Sequence, residues 1–375
     1  MSVGAPDLQR DFGVDYTATA LALFVVPTLV GAIVEPPLLV LADRGHRKAF
    51  VCGGLAAMGL ASVAAGLSPW FFGFAIALTV WFVANGLSVG VAQALVVDDA
   101  EDSPEQPMLQ WVLAGTLGDL AAPALCAGLG AIGFGWRGAF VASGVAVCAY
   151  ALVLATQRFP EANDDDDEPS LRDAVRRALS NRRLLLWLGG SWLCVMLDEL
   201  FVVFGSLHLR EALGADLATR SLVLAVDVAG GLVGLAVARR HLTSAPPSRT
   251  LAASAAICLA SYAAWMAAPT IELSVVLAFV IGAADAPLYP LAHAQAFRAL
   301  PGEPGLVQAA GVIFTPLDLA LPLVLGALAD AFGPLAALAG LALQPLLLLV
   351  LAGTAAVPPR AAVEVRDERG PRPPR

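Results

Sequence analysis

The chain has 375 residues, of which 58% are hydrophobic and 14% charged, and its mean hydropathy is +0.75. A soluble domain would carry about 25% charged residues, so an ordinary water-soluble protein is excluded. A formal net charge of -9 argues against nucleic acid as a partner and leaves the lipid bilayer as the expected surroundings.

Before the first apolar segment lies MSVGAPDLQRDFGVDY, polar and acidic, with no basic start leading into an apolar core. It is not a signal peptide. Eleven apolar spans then follow, roughly at 17–41, 49–67, 70–97, 108–131, 137–157, 185–208, 217–238, 250–268, 272–297, 306–329 and 334–356. Each is near the ~20 residues that carry a helix across a ~30 Å hydrocarbon layer. The expected fold class is therefore an all-α polytopic membrane protein.

Five spans precede a polar stretch at 158–184, and six follow it. That stretch holds the acidic run Asp164–Glu168 and then SLRDAVRRAL at Ser170–Leu179, which reads as a short basic amphipathic helix on the membrane surface. The expected division is an N-terminal bundle over 1–157, a connecting segment over 158–184, a C-terminal bundle over 185–356 and a Pro/Arg-rich tail over 357–375.

Eighteen of the 22 lysines and arginines fall on one side if the loop at Asp43–Lys48 is cytoplasmic and the loops alternate. Only Arg10, Arg137, Arg210 and Arg220 fall on the other. This bias places the N-terminus outside and the C-terminus inside.

Three sequence pairs recur at nearly constant offset. LQRDFGVDY at Leu8 matches LREALGADL at Leu209, DLAAP at Asp119 matches DLALP at Asp318, and FGWRGAF at Phe134 matches FGPLAAL at Phe332. Two homologous halves explain such a series, as in repeat-built transporters. A full span precedes Leu209, but only seven residues precede Leu8, so the spans correspond to helices 2–12 of a twelve-helix plan.

The string LVLADRGHRK at Leu39–Lys48 resembles the signature loop of the major facilitator superfamily (MFS), with Leu41, Ala42, Asp43, Arg44, Arg47 and Lys48 matching and Leu39 and His46 replacing its two glycines. Gly118-x-x-x-Ala122-Pro123 loosely resembles the helix 5 motif of exchangers in that family, and Gly135–Phe140 its helix 5–6 turn. The resemblance implies two pseudo-symmetric helical bundles and secondary transport of a small molecule by alternating access, leaning towards efflux. It also implies that Asp43, Arg44, Arg47 and Lys48 form a cytoplasmic gate loop and that the protein lies in the plasma membrane. A non-transporting receptor or scaffold of the same ancestry is the alternative.

Ionisable groups inside hydrocarbon are costly and so mark candidate function. Asp119, Asp198, Asp227, Asp285 and Asp318 fall near the middle of their spans, Glu199 adjoins Asp198, and Glu35 precedes Pro36 and Pro37 nearer the inner side. By the resemblance, Asp198 and Asp285 lie on cavity-lining helices. Every basic residue sits in a loop or at an interface. Acids without basic partners fit exchange of protons or another coupling ion, and a neutral or cationic substrate. Gly128-x-Gly130-x-x-Gly133 fits the dinucleotide fingerprint but ends an apolar helix with no strand before it. Cys52, Cys126, Cys148, Cys194 and Cys258 all lie in apolar segments without CxxC spacing. No cofactor, metal or enzyme activity is expected.

Overall fold

A computed structural model describes residues 11–14, 18, 21–42, 46–98, 103–131, 133–159 and 171–355. Among the described residues the chain is helical throughout, with no strand. A π-helical turn at Leu21–Val25 leads into α1 (Val26–Leu41). The first half continues with α2 (Arg47–Leu67), α3 (Phe71–Asp98), α4 (Glu105–Ala131) and α5 (Gly135–Ala155). A short α6 (Leu171–Ser180) precedes the second half. This half comprises α7 (Arg182–Leu213), α8 (Leu217–His241), α9 (Pro247–Met266), α10 (Ile271–Asp285), α11 (Leu288–Ala299), α12 (Pro304–Gly311), α13 (Thr315–Phe332), α14 (Pro334–Leu341) and α15 (Leu343–Ala355).

These helices fall where the eleven apolar spans were expected. Among the described residues eight stretches are long and apolar enough to cross a membrane. The other three spans, α4, α7 and α9, are helices of 27, 32 and 20 residues. The protein is thus a multi-pass membrane protein. Three spans expected as single helices are interrupted. The span at 272–297 breaks between α10 and α11, where Pro287 has no N–H to continue the ladder. The span at 306–329 tightens to a 3₁₀ turn at Val312–Phe314 just before Pro316. The last breaks at Ala342.

The halves build themselves from glycine contacts. On α3, Gly86 and Gly90 receive Glu35 and Leu39 of α1, a ridge of one helix entering the grooves of the next. Gly59 of α2 and Gly144 of α5 face each other so closely that a Cβ on either would lie 2.8 or 2.6 Å from the other's carbonyl oxygen. In the second half, a Cβ on Gly234 or Gly282 would overlap the backbone across the α8–α10 crossing. Small residues let backbones approach where lipid gives no hydrophobic drive to pack.

The repeat is visible in the backbone. Gly13 and Gly214, paired by the first repeat, take φ of 64° and 63°, and Gly135 and Gly333, paired by the third, take 56° and 88°. Each ends or begins a helix in a conformation that glycine adopts without a Cβ penalty.

Candidate functional site

Several helix ends are tied together by side chains on the side that carries Arg47 and Lys48. Asp43 and Arg44 lie outside the described residues. Arg47 forms an ion pair of 2.5 Å with Asp98 at the end of α3, and Lys48 donates to the Gln157 carbonyl at 2.9 Å while lying over the Phe159 ring. The two halves meet at this same end. Gln308 of α12 donates to Gln93 of α3 at 2.7 Å, and Gln106 of α4 to the Arg239 carbonyl at 3.0 Å. The strongest join is Glu105, whose side chain is fully buried. It accepts from Gln295 at 2.7 Å and pairs with Arg298 at 2.8 Å, both on α11, and from Ser103 at 3.0 Å.

Glu105 was not singled out in the sequence. It reads there as one more acid of a loop run, and its partners stand 190 and 193 positions away. Three buried or charged bonds to one carboxylate in a desolvated seam constitute a strong but breakable link.

Away from that end exposure rises along α4 and along α12–α13. Met108 and Leu109 of α4 are buried, whereas Ala114, Gly115, Leu117 and Gly118 are exposed. Similarly α12 is buried along most of its length, and exposure begins at Ile313. Asp318 stands on this exposed stretch. The Trp192 indole N–H of α7 donates to its Oδ1, and the Trp192 ring stacks on Phe314 with centroids 6.0 Å apart and planes 17° apart. At the opposite end itself, Arg137 donates to the Ser68 carbonyl at 2.6 Å and lies over the Phe12 and Trp136 rings, tying Asp11 to the aromatic cluster around Phe74. That arrangement is a structural clasp.

The remaining candidate acids separate by location. Asp285 is buried, and its Oδ1 accepts from Gln344 of α15 at 2.9 Å and from the Cys258 thiol of α9 at 3.8 Å. Its carboxylate therefore turns into the interior of the second half. Asp227 sits at the α8–α10 crossing, its backbone and Oδ1 against Gly282. Glu35 fills the notch left by Gly86 and packs on Gly31, and its buried Oε1 has no hydrogen-bond partner among the described residues. Asp119, Asp198 and Glu199 lie on α4 and α7, and their side chains lie outside those described.

A cavity of about 460 Å³ between α1, α2 and α3 is lined by Val30, Val34, Phe50, Val80 and Val83. Its one hydroxyl, Thr79, is spent on the Ala75 carbonyl. Nothing there would hold a polar solute. Among the described residues no group of three or more His, Cys, Asp or Glu could hold a metal ion.

The family model described as Major Facilitator Superfamily matches residues 1–315. No curated protein matches the sequence. Among solved structures, the chain is similar to the transporter FucP in the outward conformation, with TM-score 0.73 and 17% identity over 94% of this chain and 93% of that one. A variant of the same Escherichia coli fucose:proton symporter matches with TM-score 0.72. The human organic anion transporter MFSD10 matches with TM-score 0.69 and 16% identity over 93% and 88%, and the proton:xylose symporter XylE with 0.67 and 14% over 94% and 90%. At such identities these likenesses concern the fold.

Proposed function

Given that the chain belongs to the Major Facilitator Superfamily, we propose that it is a secondary active transporter of a small organic solute, proton-coupled and working by alternating access. The observation that carries this reading is the asymmetry of the join between the halves. Side chains close one end, Gln93 to Gln308 and Glu105 to Gln295 and Arg298, while Asp318, midway along its span, is exposed. Bundles over 1–157 and 185–356 would rock about that depth. In this reading the Asp43–Lys48 loop, the connecting segment and the C-terminus are cytoplasmic, the N-terminus is outside, and the membrane is the plasma membrane.

The gate would comprise Asp43, Arg44, Arg47 and Lys48 together with the Glu105 seam, and the Arg47–Asp98 pair supports it. Coupling protons would be carried among Asp318, Asp119, Asp198, Glu199, Asp227, Asp285 and Glu35. Export is the direction favoured, on the strength of the Gly118–Pro123 likeness. A neutral or cationic cargo suits a set of mid-span acids better than an anion.

The experiment is flux in proteoliposomes under an imposed pH gradient, with Asp318→Asn beside the wild type. Solute movement that a protonophore collapses, and that the substitution removes, supports the reading. Binding without flux supports the receptor alternative.

A further inference from the structure

We propose that Asp318, Trp192 and Phe314 form a binding subsite for an aromatic organic cation. Asp318 lies fourteen residues from each end of the α12–α13 span, or about 21 Å at 1.5 Å per residue, close to mid-depth. The indole N–H of Trp192 occupies one of the carboxylate's roughly four lone-pair positions and holds it in place. Asp318 is exposed as a residue, and among the described residues no ion pair engages it.

Beside this charge stand two stacked rings. Phe314 belongs to the 3₁₀ turn before Pro316, and that break aims the ring at α7. Gly189 makes room for it, since a Cβ there would stand 3.3 Å from Phe314 Cζ. Neither ring is fully buried. The flanks are apolar, with Ile313 and Leu317 half exposed. At the repeat-equivalent depth of α4, Gly115 and Gly118 have open space where a Cβ would be.

One fixed negative charge, π faces and apolar walls are what a lipophilic cation needs. Cations bind over aromatic faces within about 6 Å, most strongly over tryptophan. A sugar would call for several converging hydrogen-bond groups, since selection for hydroxyls depends on pairing them. Among the described residues the donor shown at Asp318 is the Trp192 indole, and the carboxylate already engages it. An anion would meet repulsion from Asp318. The subsite thus differs in chemistry from one that fucose, xylose or an organic anion would call for.

The inference rests on the transport reading for its consequence, since a bound cation is then cargo, but its test does not. Purified full chain in neutral detergent is dialysed against radiolabelled 1-methyl-4-phenylpyridinium and, separately, 4-phenylpyridine, which keeps the rings and is uncharged at neutral pH. The wild type binds the cation about tenfold more tightly or better. Asp318→Asn erases that preference, Asp318→Glu keeps it, and Trp192→Ala weakens binding of both probes. Retention by the Glu variant separates loss of charge from loss of fold. Equal binding of the two probes by the wild type, or an Asn variant that still prefers the cation, overturns the subsite. Cation binding without any proteoliposome flux overturns the transport reading and leaves the subsite standing. Flux of a neutral solute with no cation binding does the reverse.

Discussion

Glu105 shows how much one side chain can decide. Its carboxylate is taken fully out of water at the seam between the halves and is held by Arg298, Gln295 and Ser103. Removing the charged partner leaves a buried anion short of a donor. Because Arg298 is 40% exposed, the loss is smaller than for a dry pair. Arg298→Gln is expected to cost the closed form about 2 kcal/mol, roughly a 30-fold shift towards opening. Spin labels on the ends of α4 and α11 would report it as a longer distance population.

Asp216 makes a different kind of prediction. It caps α8 by accepting from Thr219, whose hydrogen bonds hold its carboxyl below the ordinary carboxylate range. A group depressed in the folded state contributes stability above its unfolded value of about 3.9, and the contribution is lost as pH falls through the folded value. Protection of the Thr219 amide from hydrogen exchange should therefore fall between about pH 5 and pH 3 in the wild type. In Asp216→Asn, which caps without titrating, it should not.

Single residues were the least legible level in the sequence. Mid-span acids stood out because carboxylates are rare in hydrocarbon, and Asp318 does occupy the open stretch. Nothing local distinguished Asp285, which bonds inward to Gln344, from Asp318, which does not. Glu105 was hidden because its partners lie on a helix far along the chain. Trp192 lies 126 positions from Asp318 in the chain, and only the fold brings the two together.

Among elements, apolar length located every span, since a run of about 20 apolar residues is enough to specify a crossing. The breaks were harder to read. Pro287 and Pro316 mark two of them, yet Pro36 and Pro37 sit inside an unbroken α1, so proline alone does not tell where a helix stops. Crossings depend on glycine in a way that can be tested. Gly144→Val should prevent α5 from seating on α2 and sharply lower the yield of folded protein, because the added carbons meet the Gly59 carbonyl and Val63. Gly118→Ala adds a methyl where nothing stands within 4 Å and should leave yield unchanged. Size-exclusion profiles of the two variants, purified alongside the wild type, make the comparison.

For the whole molecule, three short repeats and a charge count carried most of the architecture. The repeats survive as matched positive-φ glycines and as Asp119 and Asp318, each the fifteenth residue, in α4 and in the α12–α13 span. What they did not reveal is which end of the molecule is closed, because that depends on contacts between halves that no half encodes alone. Sidedness follows from the positive-inside bias. A reporter fused after α15 should be active in the cytoplasm, and one fused in the segment between α7 and α8 outside it.

The central claim is that these halves move a solute by opening alternately to the two sides. The most direct measurement is accumulation of labelled solutes, an aromatic cation and a neutral hexose among them, by proteoliposomes of the purified chain under an imposed proton gradient. The account predicts that at least one solute rises above its equilibrium level, that a protonophore abolishes the rise, and that Arg298→Gln alters its rate. Tight binding of a solute with no accumulation under any gradient would contradict it.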